Sequence, residues 1–153
     1  MKGFLTWAII GSLLYLGINQ WIGWDGQTRV DPRVLPDLER WAVVMLDVGV
    51  DPDLLLEGVH VIEVGTIFNP HVGAWSKGWK IKIDPRSLEI GPYSSRMILY
   101  HELGHSVFDW GHGPGFPELM HTELLDERYL QENWTRLERE YQIHATREID
   151  ARK

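Results

Sequence analysis

The spacing of apolar residues divides the chain into segments of distinct period. Phe4 to Trp24 is almost continuously apolar. Its 21 residues are about enough to cross a bilayer, and Trp21 and Trp24 stand where interfacial anchors would. After Asp25–Arg29, Leu38, Trp41, Ala42, Met45 and Leu46 repeat at i, i+3, i+4, i+7 and i+8, the buried stripe of a helix. Pro36 suits its first turn, Gly49 closes it, and Asp51-Pro52 begins a turn. The period then shortens to two. His60–Val64 is a first strand. Trp79–Ile83 is a second, with Trp79, Ile81 and Ile83 inward and Lys80 and Lys82 outward. Lysines on an outer face suit an edge strand. Asn69-Pro70-His71 and Gly73–Gly78 read as the loop between them.

Gly91-Pro92-Tyr93-Ser94 opens a helix over roughly 93–110, and a Gly-Pro-rich turn follows over 111–117. Leu130, Trp134, Leu137 and Tyr141 return to helical spacing and predict a last helix from about Leu124 to Tyr141. The charged stretch Ala145–Lys153 is expected to fray. This is an α+β pattern: a small mixed sheet, a central helix and a C-terminal helix, preceded by an N-terminal hydrophobic helix. The expected division is 1–24 as anchor, 25–144 as the folded domain and 145–153 as tail.

Composition narrows the picture. The 153 residues, 44% hydrophobic with eight tryptophans, suit one packed domain. A net charge of −7 is poorly matched to phosphate backbones, so no nucleic-acid partner is expected. There are no cysteines, which removes disulfides and thiolate metal ligands. Lys2 before the apolar run resembles a secretory n-region, but no small-x-small cleavage pattern follows it. The expectation is an uncleaved signal anchor with the domain on the extracytoplasmic side of the membrane, or secretion if the segment is cut.

The candidate chemistry lies in His101-Glu102-Leu103-Gly104-His105. On a helix the two imidazoles stand roughly 6 Å apart on one face, close enough to share one Zn²⁺. Glu102 projects about 100° round the helix, where a base for an activated water is needed. A third ligand is sought downstream. On an unbroken helix His112 would lie about 10 Å beyond His105. The chain must therefore turn back after Trp110, and Gly111 can end the helix with a positive φ. Asp109, Glu118, Glu123, Glu127 and His121 are weaker candidates. His60, His71 and His144 read as surface or core histidines.

These residues resemble the zincin metallopeptidases, and in particular a group of small bacterial and phage metzincin-like peptidases. In that group His-Glu-Leu-Gly-His is followed by a late Gly-His pair and a methionine turn, matched here by Gly111-His112 and Met120. The resemblance covers roughly 30–142 and is most specific over 98–121. The longer-known metzincins have a glycine three residues and a histidine six residues after the second histidine. Phe108 and Gly111 stand at those offsets here. The segment from Gly111 to Phe116 also resembles SprT-like proteases, although the anchor and acidic charge count against that likeness.

The resemblance implies a zinc metallopeptidase acting on a peptide or protein. His101, His105 and His112 would be metal ligands, Glu102 the catalytic base, Met120 would lie beneath the site, and Tyr93, Tyr100 or Tyr129 would be an oxyanion donor. An edge strand by the site could pair with an extended substrate. The alternative reading is a membrane-tethered, non-catalytic zinc module of a virion or envelope.

Overall fold

The computed structural model describes residues 29–59 and 61–152. The expected anchor, residues 1–24, and His60 lie outside the described residues. Among the described residues no helix is long and apolar enough to cross a membrane.

A four-stranded mixed sheet packs against a central helix, which in turn packs against a long C-terminal helix. Strands β1 (Arg29–Val30), β2 (Val61–Val64), β3 (Ala74–Lys77) and β4 (Lys80–Ile83) lie in the order β1-β2-β4-β3. β1 and β2 are parallel, as are β2 and β4, while β3 pairs antiparallel with β4. Ile81 and Ile83 are fully buried, as their alternation requires. Lys80 and Lys82 do face outward, where both ammoniums reach Glu63 on β2, at 3.2 and 3.7 Å.

Two features of this sheet correct the sequence reading. β4 is an interior strand, so its lysines answer an acidic neighbour and do not guard an edge. The edge next to β4 is β3, from a segment that reads as loop. Ala74–Lys77 lacks clean alternation, and its strand is made by the hairpin turn at Gly78 and Trp79. Gly78 has φ +56, the positive value a two-residue hairpin favours. Trp79 therefore sits in the turn, 55% exposed, and does not point inward.

Helix α1 (Leu35–Asp47) buries Trp41 and Met45 as its stripe predicts. Gly49, at φ +86, follows its end. Two short helices follow: α2 (Pro52–Gly58), where Asp51-Pro52 reads as a turn, and α3 (Pro85–Leu88), directly after β4. Each has an aspartate cap and a proline in its first turn, the pairing that starts a helix cheaply. Helix α4 (Pro92–Phe108) is buried on most sides, with Met97, Leu99, Tyr100, Leu103 and Val107 in the core. Helix α5 (Glu127–Ala151) is longer than expected. The stretch predicted to fray stays helical because Ala145 is fully buried and Ile149 packs on the core.

Two carboxylates of α5 fix α4. Glu127 accepts from the Tyr93 and Ser94 amides and the Ser94 hydroxyl, satisfying N–H groups that α4's first turn leaves free. Gly91 is needed here, since a Cβ would collide with the Glu127 carboxylate. Glu138 accepts from both Nε and Nη2 of Arg40 on α1, at 2.8 and 2.7 Å, and from the Tyr100 hydroxyl at 2.8 Å. It ties α1, α4 and α5 together.

Asp84 does the same service beside the sheet. Its carboxylate accepts from Arg86 Nε and Nη2 and from the Ile67 and Arg86 amides. The guanidinium above all, then the Ile67 amide, holds its carboxyl well below the usual carboxylate range. A group depressed on folding stabilises the native state above its unfolded pKa of about 3.9 and loses that contribution as pH falls further. Asp84→Asn is therefore expected to be destabilising at pH 7, with the gap to the unmodified chain closing toward pH 2. Urea unfolding at pH 7, 4 and 2.5 measures it, and a gap independent of pH would contradict this account.

Candidate metal centre

The site is built on the open side of α4. His101 and His105 lie one turn apart and project from the same face toward a cleft of about 1090 Å³. The helix ends at Phe108, and the reversal falls on Asp109, in the left-handed region at φ 58. This corrects the expected stop at Gly111, which has no positive φ. Aspartate tolerates that conformation better than most side chains. After the reversal the Trp110 amide donates to the Gly104 carbonyl, and the chain brings His112 back over the two helical histidines.

The three Nε2 atoms form a nearly equilateral triangle, with edges of 3.1 Å (His101–His105), 3.0 Å (His105–His112) and 3.0 Å (His101–His112). Tetrahedral zinc with Zn–N of about 2.0–2.1 Å calls for edges near ~3.3 Å. The match is within a few tenths of an ångström.

His101 Nδ1 lies 3.1 Å from the Leu119 carbonyl, and His105 Nδ1 lies 2.5 Å from the Trp110 carbonyl. A carbonyl only accepts, so each Nδ1 carries the proton and each Nε2 of a neutral ring presents a bare lone pair. Two lone pairs face each other at 3.1 Å with no proton between them. Burial pushes His101 down to about 4, against the Leu119 carbonyl, and also lowers His112. His101 is thus neutral at physiological pH. A cation shared by the three rings would relieve the repulsion, and the two carbonyls are placed where outer hydrogen bonds would orient metal-binding imidazoles.

Beneath the site, Met120 and Trp110 pack on the helix at Gly104, where a Cβ would come within 2.5 Å of the Met120 sulfur and 3.0 Å of the indole. Met120 follows Leu119 in the 3₁₀ turn Glu118–Met120, so one turn both orients His101 and fills the space under the motif. Glu102 is buried at the cleft. Burial pushes its carboxyl up to about 7, and the Ser76 side chain on β3, by hydrogen bonding to it, works in the opposite direction.

The other sequence candidates go elsewhere. Glu118 is bound to Tyr129 and Arg136, and Glu127 caps α4. Asp109 forms the reversal, and His144 packs between Trp110 and Phe116. His71, His121 and Glu123 line the cleft outside the triangle. None of the three tyrosines lines the cleft. The Tyr93 ring lies tilted against Trp134, Tyr100 donates to Glu138, and Tyr129 donates to Glu118. Spacing alone does not mark Ser76, because Ala74–Lys77 has no alternation to announce a strand.

Fold and site together define an α+β protein carrying a three-histidine cluster that could hold a metal ion. No family model, curated protein or solved structure matches the chain.

The chain is expected to bind one equivalent of zinc, with a raised thermal midpoint. Free zinc at a hundredfold excess over Kd adds about 2.7 kcal/mol. His101→Ala, His105→Ala and His112→Ala should each abolish the shift. A midpoint indifferent to both zinc and chelator dismisses the site. Gly104→Ala, which forces Met120 and Trp110 outward, is expected to cost about 1–3 kcal/mol in urea unfolding. An unchanged midpoint would show that these side chains give way freely.

Proposed function

We propose that the protein is a zinc-dependent peptidase related in architecture to the small metzincin-like enzymes. The observation that carries this reading is the pairing of an open three-histidine triangle with a buried carboxyl, Glu102, on the same helix and the same cleft. When bound, zinc supplies a Lewis acid that lowers the pKa of water toward about 7 and polarises a carbonyl.

The chain's own residues supply the rest. Glu102, with a carboxyl lifted to about 7, accepts a proton from water as its oxygen attacks the peptide carbonyl carbon. The same carboxyl then delivers that proton to the amine as the C–N bond breaks. Ser76 orients the carboxylate from β3. Ala74, Trp75 and Ser76 line the cleft, and β3 is one of the two outer strands of the sheet among the described residues. Its backbone can pair with an extended substrate. The near-continuous apolar run of Phe4–Trp24 supports tethering of this domain to a membrane.

Glu102→Gln keeps the size and hydrogen-bonding capacity of the side chain but cannot take the proton. It is expected to retain one zinc and to lose about 10²–10⁴ in kcat/KM on an internally quenched peptide pool. Metal analysis on the same preparation completes the test, and a fully active, zinc-loaded variant sinks the mechanism.

A further inference from the structure

With none of the three tyrosines lining the cleft, one part of this chemistry is left without a residue. As a peptide carbonyl is attacked, its oxygen gains negative charge, and a fixed N–H or O–H donor at that oxygen is the usual device for stabilising it. Several donors on the cleft are already committed. Nε and Nη2 of Arg86 are held by Asp84 and the Ile67 carbonyl. The Ser87 hydroxyl donates to Gly73, and the Ser106 hydroxyl is engaged with the Gly58 and Gly78 carbonyls.

His121 is different. It lines the cleft, is solvent exposed, and follows directly on Leu119 and Met120. Its own amide bonds the Glu118 carbonyl and closes the 3₁₀ turn, so its backbone is as fixed as the turn that orients His101. A charge on its ring acts on both His101 and His112.

Both polar neighbours of its Nδ1 come from the Glu123 backbone. The Glu123 backbone amide donates to His121 Nδ1 at 3.2 Å. The Glu123 carbonyl lies 3.3 Å from the same nitrogen. The arrangement that uses the Glu123 amide, the shorter of the two contacts, makes Nδ1 the acceptor and leaves the proton on Nε2, and the proposal takes that tautomer.

Resting on the peptidase reading above, we infer that His121, held as the Nε2–H tautomer at the rim of the histidine triangle, is the donor to the carbonyl oxygen of the bond being cleaved. It is a catalytic residue that contacts the substrate without binding the metal. The 3₁₀ turn then serves three purposes in successive residues. Leu119 orients a ligand, Met120 supports the helix beneath, and His121 faces the substrate.

The test uses the zinc-loaded full chain, with His121→Ala and His121→Gln, on the best-cleaved member of the quenched peptide pool. Zinc affinity is measured separately by competition with a chelating dye. His121→Ala is expected to lower kcat about 10²–10³-fold with little change in KM. Zinc affinity should be unchanged, and His121→Gln, which keeps a donor, should recover part of the loss. Because the side chain is exposed, the thermal midpoints should coincide. Wild-type kcat in His121→Ala overturns the assignment. A matching loss of zinc affinity overturns it too, by making His121 a ligand. If the unmodified chain cleaves the pool no faster than Glu102→Gln, the peptidase reading fails and takes this one with it.

Discussion

The reversal at Asp109 is the constraint on which the site rests. A straight helix carries two histidines to a metal and throws the third far up its axis. The chain instead places a non-glycine residue at positive φ, a conformation that costs free energy. The next residue offsets that cost in three ways. The Trp110 amide finds the Gly104 carbonyl, its carbonyl takes the His105 Nδ1 proton, and its indole packs between Phe108 and Tyr141. Core packing, helix termination and ligand orientation therefore share one residue. Only with that turn in place does His112 meet the other two imidazoles.

A triangle of imidazoles also needs a scaffold that does not move. α4 is held at its start by Glu127, at its middle by Glu138 through Tyr100, and at its end by the Asp109 turn. Each of these carboxylates meets several donors, so its charge is matched where it is partly buried. Glu102 stands apart. It is nearly as inaccessible as the core, yet the hydrogen bond from Ser76 does not offset its burial, and its carboxyl is displaced upward. Carboxyls that support the fold are depressed or lowered here, while the one beside the histidines is raised. Under the peptidase reading, that divergence suits a group placed for proton transfer.

Much of this was legible in the sequence wherever a period or a spacing carried it. The stripe of α1, the inward pair Ile81 and Ile83, and the spacing of His101, His105 and His112 all correspond to what the structure displays. The need for a reversal after the motif was also legible, because a helix advances a fixed distance per residue. Its position was not. Gly111 is the better left-handed residue by intrinsic preference, but the hydrogen bonds of Trp110 decide in favour of Asp109. β3 was invisible for a related reason. Four residues without alternation become a strand only because β4 offers an open edge and Gly78 turns the chain. Tyr100 shows the same limit, since nothing in its spacing announces that Glu138, far along the chain, will take its hydroxyl.

The distinction between a structural and a catalytic metal turns on the fourth coordination position. Structural zinc sites close it with a protein side chain, and catalytic ones leave it for water or substrate. Among the described residues no further histidine or carboxylate joins the cluster of three, although Asp109, His121 and Glu123 all line the same cleft. Each is held by local hydrogen bonds or by its role in a turn. A fold that only needed the metal as a brace would gain by swinging one of these inward. It would also have no use for a desolvated carboxyl beside the ligands. Keeping Glu102 buried costs free energy that a leucine at the same position would not, and the peptidase reading gives that cost a purpose.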